Sequence, residues 1–165
     1  MKKIYLLSLL LILDIAIKHF VYTSIPMMSW SYPFYPYGGV PVFHDFLGIN
    51  FSINHIANMG AAWGILSSYS TYLLYFRIIV VIILALYIIL FLRDRNKVLP
   101  LSVIVVGAVG NILDYMFYGH VIDMFHFNFW GYSFPLFNLA DAMICMGVFG
   151  MFFISLKKPM TKLVE

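Results

Sequence analysis

Apolar residues run along this chain in long blocks, and the polar positions fall mostly between them. Four blocks, at about residues 4–22, 72–92, 98–118 and 137–156, each approach the roughly 20 residues a helix needs to cross a hydrocarbon core about 30 Å thick. No linker or low-complexity tract separates them, so the expected unit is one membrane domain spanning residues 1–165. The first block opens MKKIYLLSLLLILDIAIKHF, with the basic start and apolar run of a secretory signal. Asp14 and Lys18 interrupt that run and no small-residue cleavage site follows, so a retained anchor is expected.

Two longer connections, about 23–71 and 119–136, join the first pair and the last pair of blocks. The first contains MMSWSYPFYPYGGVPVFHDF, dense in aromatic residues and proline and almost free of charge. Such rings favour the headgroup layer, where they can be half buried. It continues into INFSINHIAN (49–58), whose rough alternation and β-branched residues predict a small sheet on the membrane surface. The fold class is therefore an all-α membrane protein, with four transmembrane helices, a small outer-face β-sheet and a surface aromatic arm.

Composition agrees: 63% of the 165 residues are hydrophobic and 10% charged, far from an ordinary soluble domain. The mean hydropathy is +0.94. Charge then sets the orientation. Lys2 and Lys3, Arg93, Arg95 and Lys97, and Lys157, Lys158 and Lys162 all fall on one side of a four-helix topology. The positive-inside rule puts both termini and the RDRNK loop in the cytoplasm and the two longer connections outside. Only Lys18 and Arg77 lie elsewhere. The net charge of +3 reflects this asymmetry and carries no sign of a nucleic-acid partner.

Of the seven acidic residues, Asp14, Asp114, Asp123 and Asp141 lie within or at the edges of spans. An aspartate at the centre of a spanning helix costs about 2.5–3.5 kcal/mol on insertion scales, and less toward the interface. Four could together cost up to ~10 kcal/mol, comparable with the stability of a whole domain. Such a cost points to function. With helix three running outward and helix four inward, Asp114, Asp123 and Asp141 share the outer boundary. Asp14 and Lys18 stand one turn apart on one face of the first helix. NILD (111–114) and NLAD (138–141) each set an asparagine one turn before an aspartate, so the amide can donate to its own carboxylate or to a neighbour's. Gly107, Gly110, Ala140 and Ala142 would let helices three and four approach closely.

Two carboxyl groups brought close in a partly desolvated site share one proton. That is the chemistry of an aspartic peptidase: one carboxylate takes a proton from water while the protonated partner donates to the scissile carbonyl.

DIAIK (14–18), NMGAAWGIL (58–66), GAVGNILDY (107–115), VIDMF (121–125) and FPLFNLADAMICMG (134–147) occur in an order that resembles lipoprotein signal peptidase, or signal peptidase II, of bacterial cytoplasmic membranes. The resemblance covers nearly the whole chain. It implies that Asp123 and Asp141 are the catalytic pair and that Asn58 and Gly60 line the substrate groove. By the same matching Asn111, Asp114 and Asn138 brace the site, and Asp14 and Lys18 support or contact it. The implied substrates are diacylglyceryl-modified prolipoproteins, with acyl chains remaining among membrane lipids. The implied inhibitor is globomycin, the enzyme is expected to act as a monomer, and no cofactor is implied. The sequence departs from the family's pattern at Tyr115, where arginine is usual, and at Ile15, Trp63 and Met124.

The remaining polar groups have plainer readings. Asp14 and Asp114 could serve only to satisfy helix contacts, and Lys18 reads as an ion-pair partner or snorkelling side chain rather than a base. His120, Asp123 and His126 would suit a metal only on a helix, and the chain is expected to leave the helix at Gly119, so no metal is assigned. Cys145, the single cysteine, reads as core packing. Alternatives are a catalytically impaired paralogue of the same fold and a small proton or solute transporter.

Overall fold

The computed structural model describes residues 2–29, 31–32, 34–60 and 65–156. Trp30 of the aromatic arm, Ala61–Gly64 with the departure at Trp63, and Lys157, Lys158 and Lys162 lie outside the described residues. The helices are α1 (Lys2–Ser24), α2 (Ser70–Leu90), α3 (Arg95–Tyr118) and α4 (Leu139–Leu156), and the strands are β1 (Val40–Phe46), β2 (Ile49–Asn58), β3 (Val121–Phe129) and β4 (Tyr132–Ser133). All four helices are long and apolar enough to cross a membrane. α3 begins at Arg95, ahead of the expected 98, because Asp94 caps it by accepting the Asn96 N–H at 3.1 Å.

Burial within the helices is inverted relative to a soluble bundle. The buried residues of α1 are Asp14, Lys18 and Val21, whereas Leu6, Leu9, Ile12 and Leu13 are exposed. α2 has no buried residue at all. In lipid, association gains little from apolar burial and depends on close packing and interhelical hydrogen bonds, so small and polar residues turn inward. α3 is the central helix and packs against α1, α2 and α4. Its buried Gly107 faces α4, where a Cβ would lie 2.6 Å from the Ala140 carbonyl oxygen. A Cβ at Gly110 would lie 2.5 Å from an Asp14 carboxylate oxygen, so both glycines are the condition for three helices meeting at one depth.

The sheet is antiparallel in the order β1-β2-β3-β4. Of the sheet, only β2 was legible, in INFSINHIAN. Its centre, however, is the β2–β3 pair, from Ile49↔Phe129 to Asn58↔Val121. β3 comes from the second of the two longer connections, where no strand was expected, and Asp123 therefore stands on a strand beyond the end of α3. Gly119 makes this switch by ending α3 at φ +76°, a left-handed conformation that favours glycine. Phe125, Phe127 and Phe129 then recur on one face of β3, and Phe127 stacks on Phe51 with ring centroids 4.4 Å apart. The opposite face buries Ile122 and Met124 against Val21 and Ile25 at the end of α1, fastening the sheet to the bundle.

Gly107→Ala is expected to force α3 and α4 apart and to destabilise the fold by about 1–3 kcal/mol. Thermal unfolding in detergent micelles checks this, and an unchanged Tm would contradict the close approach.

Candidate active site

Lys18 organises the polar interior. An ammonium carries three donors, and Lys18 Nζ lies 2.8 Å from Asp14, 2.7 Å from Asp114 and 2.9 Å from the Asn111 side-chain oxygen. Lys18 and Asp14 are wholly buried, and Asp114 is nearly so. These contacts place α1 against α3. Both carboxylates also hold a backbone amide elsewhere in the chain. Asp14 Oδ1 accepts the Ala140 N–H at 2.9 Å, and Asp114 Oδ2 accepts the Ile122 N–H at 3.3 Å. The first bond satisfies a backbone donor in the first turn of α4, which has no partner within its own helix. The second pins the start of β3.

NLAD at the head of α4 folds as a reciprocal cap. Asn138 Oδ1 accepts the Asp141 N–H at 2.9 Å, and Asp141 Oδ2 accepts the Asn138 N–H at 3.2 Å. This is the arrangement of a capping box with Asn and Asp in place of Ser/Thr and Glu. It fixes the Asp141 carboxylate in the first turn, where the helix dipole favours negative charge. Its other oxygen accepts from Asn111 Nδ2 at 2.8 Å, so Lys18 reaches Asp141 through the Asn111 amide.

Asp123 is held from two sides. Asn58 Nδ2 donates to Oδ2 at 2.8 Å from the end of β2, and Asn138 Nδ2 donates to Oδ1 at 2.8 Å from the head of α4. Backbone bonds between Phe125 and Phe137 bring the chain before α4 alongside β3. Both asparagines of the N-x-x-D motifs thus serve carboxylates on other elements: Asn111 serves Asp141, and Asn138 serves Asp123. Asn138 also links Asp123 to Asp141 directly. Burial pushes the Asp123 carboxyl to about 7, well above the ordinary carboxylate range, and the charge of Asp141 pushes the same way. The two amides oppose the rise.

Asp123 and Asp141 both line one cavity of about 470 Å³, together with Asn58, Gly60 and Asn111. Its remaining wall includes Phe134–Phe137, Ala142, Cys145 and Arg77. The expected site residues therefore divide in two. Asp123, Asp141, Asn58, Gly60 and Asn111 face the cavity, while Asp14, Lys18, Asp114 and Asn138 are buried behind it. Core packing for Cys145 is overturned: its residue is exposed and lines the cavity one turn after Asp141 on α4. Asp141 already faces the cavity, and at i, i+4 Cys145 shares that face. Arg77, whose Nη2 donates to the Gly60 carbonyl at 2.8 Å, was not among the expected site residues. The signal available for it was a cation within the second apolar block that the topology did not explain.

A sequence model described as Signal peptidase (SPase) II matches residues 6–157. The chain belongs to the signal peptidase II family. Among curated relatives, the lipoprotein signal peptidase of Chlamydia pneumoniae is 37% identical over 108 residues, covering 63% of this chain and 63% of that protein. The lipoprotein signal peptidase of Staphylococcus aureus (strain JH9) is 41% identical over 95 residues, covering 55% of this chain and 56% of that protein. The chain thus aligns with less than two thirds of the length of each. Two solved bacterial membrane enzyme structures, determined by the in meso method at 2.3 and 1.9 Å resolution, share the fold of this signal peptidase II family member. They superpose with TM-scores of 0.77 and 0.73, each at 28% identity, covering 99% and 96% of this chain and 93% and 94% of theirs.

Lys18→Met keeps an unbranched stem but leaves Asp14 and Asp114 buried without their cation. Removing one partner of a buried ion pair costs about 3–5 kcal/mol, so a large fall in Tm in micelles is expected. A Tm equal to that of the unsubstituted protein would show that Lys18 does not hold α1 to α3.

Proposed function

We propose that this chain is an intramembrane aspartic endopeptidase, one domain over residues 1–165, that removes signal peptides from diacylglyceryl-modified prolipoproteins. The observation that carries this reading is the convergence of Asp123 and Asp141, from β3 and α4, on one cavity through a shared asparagine. Membership of the signal peptidase II family supports the substrate class.

In the proposed reaction, one carboxyl of the pair is ionised and the other carries the shared proton. Asp123 holds that proton, because burial favours its neutral form. Asp141, capped and supported by Asn111, takes a proton from water as the water oxygen bonds to the scissile carbonyl carbon. Asp123 donates to the carbonyl oxygen. Collapse of the tetrahedral species breaks the C–N bond as Asp141 passes the proton taken from water to the departing amine, while Asp123 regains its proton from a hydroxyl of the tetrahedral species, so the pair returns to its starting state. Asn58 and Asn138 keep Asp123 aimed at the cavity.

The cavity suits a peptide segment whose lipid remains outside. Its wall is largely apolar, including Phe134, Pro135, Leu136 and Phe137. Lipid-facing helices on the exterior leave acyl chains in the bilayer. The site lies at the outer ends of α1 and α3 and the head of α4. By the basic-residue asymmetry this is the outer face of a bacterial cytoplasmic membrane, with both termini in the cytoplasm. We further propose that the enzyme acts as a monomer and that globomycin blocks it. A transporter would instead need ionisable groups along the whole thickness. Here the bond from Asp14 to the first turn of α4 sets the buried charges at one depth.

Purified Asp123→Asn and Asp141→Asn proteins should fold with near-normal Tm yet lose about 10²–10⁴-fold or more of prolipoprotein cleavage, the usual size of acid–base contributions. Normal processing by either variant would falsify the pair. The pH profile adds a second check. Below about 7 Asp123 keeps its proton, and above about 7 it loses the donor state, so kcat should fall as the pH is raised through neutrality. A rate still rising above pH ~8 would count against a proton held by Asp123.

A further inference from the structure

Arg77 is the one basic residue among the described residues lining the cavity. It stands in the third turn of α2, on a helix otherwise free of charge. A cation in a spanning helix is costly to insert, and such residues commonly serve function. The cytoplasmic excess of basic residues does not explain it, because Arg77 lies toward the opposite end of the span. Its guanidinium is folded inward onto protein, where Nη2 donates to the Gly60 carbonyl at 2.8 Å.

That carbonyl ends a short polar chain. The Gly60 N–H donates to Asn58 Oδ1 at 2.9 Å, closing an Asx turn over Asn58, Met59 and Gly60. Asn58 Nδ2 then donates to Asp123 Oδ2 at 2.8 Å. An asparagine amide is planar, so fixing its oxygen on the Gly60 N–H sets the direction in which its NH₂ points. Gly60 is in turn held by the helix that bears Arg77. The connection therefore runs from α2, through one backbone residue and one amide, to a carboxylate of the proposed pair. It crosses from a helix that packs on α3 to a strand that packs on α1, α3 and β2. Tyr115, which follows Asp114 on α3, is not among the described residues lining the cavity.

We infer that Arg77 is a positioning residue, which fixes the Asn58–Gly60 turn so that the Asn58 amide stays aimed at Asp123. The inference rests on the peptidase reading and deepens it. Arginine suits the position because its rigid, planar fork of donors holds a carbonyl in a fixed geometry. A lysine could donate to the same oxygen but lacks the fork.

The consequences are specific to an indirect role. Asp123 is faced by Asn58 from β2, by Asn138 and the Asp141 charge from α4, and by the more distant Lys18 charge from α1. Among these, the Asn58 amide favours the ionised form of Asp123. Loosening it makes Asp123 hold its proton more tightly. The pH at which the shared proton is lost must then move up.

The test uses the full-length protein in micelles with a diacylglyceryl-modified prolipoprotein peptide. Arg77→Met keeps an apolar stem and removes every donor. Its kcat should fall roughly 10- to 100-fold, as for a misaligned catalytic group, with KM within about twofold and the alkaline limb of the kcat profile shifted upward. Arg77→Lys should recover part of kcat and part of the shift. Combined with Asn58→Ala, Arg77→Met should add little further loss, because both substitutions break one chain. Wild-type kcat and pH profile in both Arg77 variants, an effect confined to KM, or additive losses with Asn58→Ala would each overturn the inference. Should Arg77→Met not fold, Arg77→Lys alone decides, through the same kcat, KM and pH readings. Absence of cleavage by the wild-type protein would instead sink the peptidase reading.

Discussion

A charged group sealed away from water must meet its full set of partners inside the protein, and this requirement at Lys18 shapes the structure around it. The ammonium draws one carboxylate from its own helix and one carboxylate and one amide from α3. Each of those partners has a second bond that reaches a further element: Asp14 holds α4, Asp114 holds β3, and Asn111 holds Asp141. Four parts of the chain are thereby brought into register by groups that lipid could never solvate. In a membrane, where apolar side chains gain little by meeting one another, directional polar bonds of this kind decide where helices cross.

The cavity inherits its asymmetry from the same network. Asp141 is braced from the buried side by Asn111 and by the cap of its own helix. Asp123 is braced from the sheet and from the head of α4. One carboxylate thus belongs to the helix bundle and the other to a strand of the sheet, paired with β2. Aromatic stacking of Phe51, Phe127 and Phe137 holds the strand to the segment that leads into α4. The distance between the two acids is governed by how firmly the sheet sits on the helices.

Much of this could be read from the sequence, and the reasons for the exceptions are local. The four spans were legible because long apolar blocks have no other common explanation, and the N-x-x-D repeats disclosed amides poised beside acids. Which carboxylate each amide would serve was not legible. At i, i+3 the geometry allows a partner on the same element or on a neighbouring one, and the packing chose a different element in both cases. The strand carrying Asp123 was missed although VIDMFHFNF repeats phenylalanine every second residue, because the segment was read only as a connection between spans. Cys145 was misplaced because an apolar run does not reveal which side of a helix faces a cavity. Arg77 stood out as an unexplained charge, but its partner is a backbone carbonyl, and backbone partners leave no mark in residue types.

The cap at the head of α4 makes one side chain answerable to two duties. Asp141 receives an amide of its own helix start and also faces the cavity. Unwinding of that first turn would release the acid and the neighbouring Asn138 together, and with Asn138 one of the two amides that hold Asp123. A nascent chain whose last helix is still unformed therefore has neither the cap that holds Asp141 nor the Asn138 amide that joins the two acids. Completion of the last helix and assembly of the acidic wall of the cavity become a single event.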